Sequence, residues 1–216
     1  MKATPLRAKR KDPLEPLLRA YVAGFAEQNH AAGVIAGGLR VVGTGFWPVL
    51  DHLTFRTLDV DKRAREFLQL GYHYDAEMGV LEYNNWFAKV YRKSGYPALF
   101  IDQAYTGPRG RGSLIPDWVK AFGDKTLHHA AVRVEDIEQA VFYLEKQGVQ
   151  FAGAIVGERG TDLRQIFTQP EMKKGRPFSV VELTERHRGF AGFSPPQANR
   201  LMESTRGPAA EHNPKS

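Results

Sequence analysis

Two histidines occur at equivalent places in a repeated stretch of the sequence. One copy runs from His52 to Gly71 and the other from His129 to Gly148, and in both the glycine follows the histidine by nineteen positions. Each copy also has an arginine four positions after its histidine, Arg56 and Arg133. Because imidazole is a common metal ligand, a repeat that returns it to the same position suggests that both histidines meet at one site.

A carboxylate that could complete such a site lies late in the chain. Glu182 stands within the apolar, β-branched run 180–184, where a charge is costly unless it has a partner. A metal ion is one such partner, and Arg56 or Arg133 is the structural alternative. Two histidines and one carboxylate with open coordination positions are typical of non-haem Fe(II) oxygenases, although the same ligands suit Zn, Mn or Ni.

The arginine of the first copy could bind the substrate. On a strand, Arg56 lies on the same face as His52, about 13 Å further along. A guanidinium binds a carboxylate with two hydrogen bonds, so a metal and Arg56 together would fit the two ends of a small dicarboxylate. The alternative is an ordinary salt bridge from Arg56 to Glu66 or Asp59.

His128 competes with its neighbour His129 for the role of ligand. His129 is the residue in register with His52, whereas His128 aligns with Asp51. Since side chains alternate along a strand, we expect His128 to point to the opposite face, and the sequence favours His129 as the ligand.

The composition excludes several classes of site. The 216 residues include no cysteine, so a metal would bind through histidine and carboxylate side chains. The 42% apolar content is enough for a core, and no apolar run is long enough to cross a membrane. No apolar segment of signal-peptide type follows the basic N-terminus 1–11, which predicts a cytoplasmic protein.

The net charge of +6 does not indicate nucleic-acid binding. The basic residues cluster at 7–11 and 109–111, without the interleaved aromatic residues of a nucleic-acid surface. They are expected to be a solvated tail and a turn, or to attract anionic substrates through the field of the protein.

Periodicity predicts an α+β protein with two modules. Helical spacing predicts a helix over 14–30, and the glycines that follow predict a loop over 31–46. Each later half then has the order β-α-β-β-β, which favours α+β over a parallel α/β sheet. Two such modules side by side would curve into an open barrel with the site inside.

The expected divisions of the chain are 1–46 (N-terminal tail and helix), 47–103 (first module), 104–126 (linker), 127–194 (second module) and 195–216 (C-terminal tail with a short helical pattern and a disordered end). Residues 185–188 are expected to be a solvated strand end.

Several segments resemble the vicinal oxygen chelate superfamily. Residues 128–137, 163–170, 181–186 and 189–193 are similar to the C-terminal half of 4-hydroxyphenylpyruvate dioxygenase. Residues 51–57, 67–72, 86–87 and 97–101 resemble the DUF1338 family, whose characterised activity is that of an Fe(II)-dependent 2-oxoadipate dioxygenase/decarboxylase of lysine catabolism.

The resemblance implies a role for individual residues. His52, His129 and Glu182 match the metal ligands, and Arg56 matches the arginine that binds the substrate carboxylate. Gln165 is in register with a pocket glutamine, so it is expected to contact the substrate, with a purely structural amide as the alternative.

The implied activity is oxidative decarboxylation of a small 2-oxo acid by O2, with 2-oxoadipate giving 2-hydroxyglutarate and CO2. A glyoxalase-type isomerase or lyase with Zn or Ni is the first alternative, and a non-catalytic small-molecule-binding protein of the same fold is the second. The sequence leaves the oligomeric state open, with a homodimer as one candidate, and it leaves the roles of Arg133 and of the basic N-terminus open.

Overall fold

A computed structural model describes residues 13–205 of the chain. The expectations for the basic tail 1–11 and for a disordered end beyond residue 205 therefore lie outside the described residues.

The described residues form six α-helices and ten strands, with short 3-10 turns at Trp47–Val49 and Gly107–Gly110. The helices are α1 (Leu14–Gln28), α2 (His30–Val41), α3 (Val60–Gln69), α4 (Ile115–Phe122), α5 (Ile137–Lys146) and α6 (Pro195–Ser204). The strands of the first half are β1 (Leu50–Thr57), β2 (His73–Tyr74), β3 (Val80–Glu82), β4 (Trp86–Arg92) and β5 (Ala98–Ala104). Those of the second half are β6 (Leu127–Val134), β7 (Phe151–Val156), β8 (Leu163–Thr168), β9 (Glu171–Lys173) and β10 (Arg176–Arg186).

The strands form one open sheet with an internal two-fold pattern. Its order is β2-β4-β5-β1-β6-β10-β8-β7, with β3 beside β4 and β9 beside β10. The first strand of each half is parallel to the last strand of the same half, β1 to β5 and β6 to β10. The two first strands, β1 and β6, pair antiparallel at the centre, so equivalent positions of the two copies come together there.

The two faces of the central strands have different neighbours. Leu53 and Phe55 of β1 are fully buried in the larger apolar core, which also contains residues of α1, α2, α3 and α5. His52 of the same strand lies on the opposite face, in a cavity that also takes side chains from β4, β5, β6, β8, β10 and α6. Because side chains alternate along a strand, the helices support one face while the other carries the candidate site.

A helix replaces the loop that was predicted over 31–46. Asn29 begins α2 by accepting a hydrogen bond from the backbone N–H of Ala32 at 3.0 Å, and Ala31 and Ala32 are buried. The glycines of α2 cost about 1 kcal/mol each relative to alanine, but Gly33 lies against the carbonyl oxygen of Ala26 in α1. Packing of the two helices outweighs the low helix propensity.

The predicted α+β class is confirmed, and most elements lie close to their expected positions. Helix α1 lies within the helix that was predicted over 14–30, and α6 lies in the tail where a short helical pattern was expected. Among residues 13–205, no helix is both long and apolar enough to cross a membrane.

Candidate metal centre

Three neighbouring strands bring the predicted ligands together. His52 of β1, His129 of β6 and Glu182 of β10 offer ligand atoms that all lie within 4.8 Å of one another. The Oε2 atom of Glu182 lies 3.3 Å from the Nε2 atoms of both His52 and His129. All three side chains are buried, so the sequence prediction of a two-histidine, one-carboxylate set agrees with their placement.

An extra residue precedes the first histidine in its strand. Leu50 pairs with Val132 and His52 pairs with Ala131, which leaves Asp51 outside the β1–β6 ladder. Such a β-bulge turns the side chain of the extra residue away from regular alternation. The Oδ1 atom of Asp51 consequently lies 2.8 Å from the Nδ1 atom of His52, where it orients the ring so that Nε2 faces Glu182.

The second histidine is preceded by a bulge at the matching position. Thr54 pairs with His129 and Phe55 pairs with Leu127, which leaves His128 outside the ladder. The expectation that His128 points to the opposite face is therefore wrong, because the bulge turns it into the cavity beside its neighbour. The two Nδ1 atoms of His128 and His129 lie 2.9 Å apart.

Two hydrogen bonds hold the carboxylate in place. The Nε2 of Gln165 and the hydroxyl of Thr184 both donate to Oε1 of Glu182, the latter at 2.7 Å. Because both donors use the same oxygen, Oε2 stays directed at the histidines. Gln165 thus serves as an orienting amide in this structure, and it also lines the cavity.

A buried arginine, Arg186, fixes the orienting aspartate. It contacts Asp51 through Nε at 2.8 Å and through Nη2 at 2.9 Å, and it also donates to the carbonyl of Gly192 at 2.6 Å. The expected solvated strand end over 185–188 is therefore wrong for Glu185 and Arg186, whereas Arg188 is exposed. Glu185 is buried as well, and its Oε2 accepts from the backbone N–H of Ile137 at the start of α5 at 2.7 Å.

Burial and neighbouring charges give the two histidines different electrostatics. Burial disfavours the charged form of His52, but Glu182 and Asp51 outweigh it and raise the pKa of His52 to about 9. Burial lowers the pKa of His129 to about 4, against the attraction of Glu182. Glu182 itself has a pKa well below its ordinary value, because the two histidines outweigh the effect of its burial.

The donor set fits a divalent metal ion. Ligand atoms bound at about 2.1 Å in an octahedral or tetrahedral site lie roughly 3–3.5 Å apart, and the separations of 3.3 Å match this range. Imidazole and carboxylate ligands suit iron, zinc, manganese and nickel, and the set leaves coordination positions for other molecules. Thr54 now contacts the Nε2 of His129 at 2.8 Å, and a bound ion would take over this contact.

The surrounding cavity is small and mostly apolar near the ligands. It measures about 40 Å³, and its wall includes three phenylalanines together with the C-terminal helix α6. Phe193 contacts the rings of His52 and Phe100, with centroid distances of 5.1 and 4.8 Å. The sequence did not indicate the role of α6, which supplies Leu201 and Met202.

A second cavity of about 200 Å³ adjoins the first. His128 lines both cavities, and Arg56 lines the larger one with the aromatic side chains of Trp118 and Phe178. The guanidinium carbon of Arg56 lies 5.6 Å from the centre of the Trp118 ring. Arg133, by contrast, is exposed, so the two matched arginines occupy unlike environments.

The alternative of an ordinary salt bridge for Arg56 is wrong. Glu66 pairs with Arg63 at 2.6 Å, and Asp59 caps α3 by accepting from the N–H of Lys62 at 2.9 Å. Within the described range 13–205, Arg56 forms no ion pair. In the same range its side chain makes one hydrogen bond, which Nη2 donates to the sulfur of Met202 at 2.9 Å. Burial lowers the pKa of Arg56 to about 10, so the side chain is charged at neutral pH.

Comparison with known proteins finds likeness at the level of structure. No protein-family model matches the sequence, and no curated protein matches it. Hydroxyglutarate synthase from Oryza sativa, solved in complex with 2-oxoadipate, superposes with a TM-score of 0.69 at 17% identity, covering 96% of this chain and 97% of that one.

Two bacterial structures are also similar. A protein from Shewanella frigidimarina NCIMB 400 named as a hydrolase gives a TM-score of 0.70 at 17% identity and covers 85% of this chain and 98% of its own. A glyoxalase superfamily protein from Ralstonia eutropha JMP134 gives 0.65 at 14% identity, with 82% and 84% covered. These likenesses confirm the vicinal oxygen chelate fold that the sequence resemblance predicted.

Proposed function

We propose that the protein is an Fe(II)-dependent dioxygenase that decarboxylates a small 2-oxo acid. The expected substrate is 2-oxoadipate, which with one O2 gives 2-hydroxyglutarate and one CO2. The observation that carries this proposal is the pairing, in adjoining cavities, of a buried His52–His129–Glu182 set with the buried cation Arg56, which forms no ion pair among the described residues. The rice enzyme that binds 2-oxoadipate shares the fold over nearly the whole chain, which supports the choice of substrate.

His52, His129 and Glu182 would hold the iron. Bound iron would supply the activation of O2 and the binding of the 2-oxo acid end, which is the chemistry that this ligand set typically serves. Asp51 and His128 orient the two imidazoles, and hydrogen bonds of this kind stabilise a ligand in the geometry that binds the ion.

Arg56 would bind the far end of the substrate. Arg56 follows His52 on the same strand face by about 13 Å, and it lines the larger cavity that adjoins the metal cavity. A thioether is a weak acceptor, so the present contact with Met202 is readily exchanged for a carboxylate. That exchange fixes both ends of a dicarboxylate and orients the carbon chain between them.

Apolar side chains around the ligands would exclude water. Phe100, Phe167 and Phe193 line the cavity together with Leu201 and Met202 of α6. A dry site strengthens the interaction between Arg56 and a bound carboxylate and protects reactive species from side reactions.

Oxygen consumption tests the proposal. Protein loaded with Fe(II) is expected to consume O2 with 2-oxoadipate and to release equal amounts of CO2 and 2-hydroxyglutarate, but to be inactive with 4-hydroxyphenylpyruvate. His52→Ala should abolish both iron binding and O2 uptake, whereas His73→Ala, at an exposed histidine of β2, should leave both unchanged.

Two outcomes would favour the alternatives. Stoichiometric Zn or Ni in anaerobically purified protein, with turnover that needs no O2, would replace the proposal by a glyoxalase-type isomerase or lyase. Ligand affinity that survives His52→Ala would indicate a binding protein without a metal. A cytoplasmic location and a homodimer stay predictions.

A further inference from the structure

Three buried polar atoms near the two cavities have no hydrogen-bond partner. They are Nε of Arg56, Oδ1 of Asp102 and the hydroxyl of Tyr83, and each of these residues is no more than 3% exposed. An unsatisfied buried polar group costs roughly 1–3 kcal/mol. Three of them in one region indicate a place that a ligand completes.

The three residues form a cluster beside the two cavities, in which Arg56 lines the larger cavity and the other two lie at or beside the metal cavity. Arg56 and Asp102 are direct partners on the parallel strands β1 and β5, and Asp102 lines the metal cavity. Tyr83 stacks on Trp86 at a centroid distance of 3.7 Å, and Trp86 lines the same cavity. Burial chiefly raises the pKa of Tyr83, and the negative charges of Asp102 and Glu182 add to this.

The charges of this cluster limit what can bind. Arg56 and Asp102 balance each other when both are ionised, so a carboxylate from a substrate would add an uncompensated negative charge to a buried region. Such a charge is costly. Two carboxyl groups that face each other avoid the cost by sharing one proton, because their like charges disfavour simultaneous ionisation.

The other elements around Asp102 do not remove this excess charge. Among the described residues, His52 of β1 and Glu182 of β10 are the other groups that act on it. With a divalent ion bound there, His52 would be a neutral ligand, and Glu182 and the near carboxylate of the substrate would balance the charge of the ion. The directly paired residue of β4 is Ala88, and α6 contributes the apolar Met202 to the cavity wall. A far carboxylate would therefore depend on Arg56 and on the protonation of Asp102.

We propose that Asp102 determines which substrates bind: a far carboxylate is held between Arg56, Tyr83 and Asp102 with one proton shared between the two carboxyl groups. This inference rests on the proposed function, since it concerns the far end of the same 2-oxo acid. A substrate with an apolar far end needs no such proton.

The electrostatics give the direction of the pH dependence. Burial raises the pKa of Asp102 to about 7, against the attraction of Arg56 and His52. Below pH 7 the free protein already carries the required proton, and above pH 7 binding must take one up. The dissociation constant of 2-oxoadipate is then expected to rise about tenfold between pH 6 and pH 8, by the proton linkage of one such group.

Calorimetry on the anaerobic, Fe(II)-loaded protein tests this inference. Titration with 2-oxoadipate at pH 8 in two buffers of different ionisation enthalpy should show uptake of nearly one proton more than titration with 2-oxohexanoate. The latter has the same 2-oxo acid end but a methyl group in place of the far carboxylate.

Asp102→Asn should lose this extra proton uptake and bind 2-oxoadipate at pH 8 about tenfold more tightly than the wild type, because the amide needs no proton to donate to the carboxylate. The control Asp75→Asn, in a carboxylate paired with Arg92 away from the metal cavity, should keep the wild-type proton uptake.

Equal proton uptake for the two ligands in the wild type would overturn the inference, even if the Asp102 variant does not fold. The inference would also be overturned if the wild type and a folded Asp102→Asn protein took up the same number of protons on binding 2-oxoadipate. Oxygen consumption by the wild type decides the proposed function separately, so failure of the inference and failure of the proposed function are distinguishable.

Discussion

Asp51→Asn tests whether the bulge before the first histidine supports metal binding. The substitution keeps the shape of the side chain and an oxygen that can accept from Nδ1 of His52, but it removes the negative charge. Outer-shell partners of this kind typically contribute 10–100-fold to metal affinity. We therefore expect the dissociation constant of Fe(II) or Zn(II) to rise by that factor, about 1.4–2.7 kcal/mol.

The same substitution should also destabilise the metal-free fold. Asp51 accepts from Arg186 at 2.8 and 2.9 Å, and the arginine side chain is 5% exposed. Breaking a buried pair usually costs about 3–5 kcal/mol. Arg186 keeps its bond to the carbonyl of Gly192 and its place over the ring of Phe193, so we expect a smaller loss, about 2–3 kcal/mol.

Two measurements separate these effects. Competition with a chromophoric chelator gives the metal affinity, and urea unfolding of the metal-free protein gives the free energy of unfolding. Asp162→Asn serves as the control, because its pair with Arg188 is exposed and should contribute no more than about 1 kcal/mol. A folded Asp51→Asn protein whose metal dissociation constant stays within twofold of the wild type would refute the orienting role.

Three further substitutions test the site and the fold. Glu182→Gln should weaken metal binding by more than about 100-fold, because it removes the charged ligand; retention of stoichiometric metal after gel filtration would contradict its role. Phe55→Ala should lower the free energy of unfolding by about 3–5 kcal/mol, since the ring is fully buried against Phe67 at 5.3 Å; a loss below 1 kcal/mol in urea unfolding would contradict that packing. Gly157→Ala should lower the thermal unfolding temperature, because φ is +99° and the new Cβ would lie 2.4 Å from the carbonyl oxygen of Leu163; calorimetry that shows no change would contradict the close approach.

The ligand set was predictable because it depends on local register. His52 and His129 occupy the same position of a repeat, and a charge at Glu182 within an apolar strand needs a partner. These are properties of single strands, and the two-fold pattern of the sheet then brings the strands together. The exposed Arg133 and the buried Arg56 show the limit of the repeat, since equivalent sequence positions have different neighbours.

The supporting residues depend on features that alternation does not describe. A bulge reverses the expected direction of His128, and no sequence period announces where one extra residue leaves the ladder. The sequence predicted a solvated Arg186, because its partner Asp51 lies 135 positions away in the chain. No sequence motif indicated Asp102. The feature that singles it out is a buried oxygen, Oδ1, that has no hydrogen-bond partner, and this is visible only in the structure.

The paired bulges also bear on how such a site can change over evolutionary time. An extra residue lies outside the strand register, so its identity can vary without shifting the hydrogen bonds on either side or moving the histidine that follows. One copy of the repeat has aspartate at this position and the other has histidine. The two halves therefore orient their imidazoles through different side chains at equivalent bulges. A chain with this architecture can adjust the reactivity of a bound metal at two positions whose substitution leaves the pairing of the neighbouring strands unchanged.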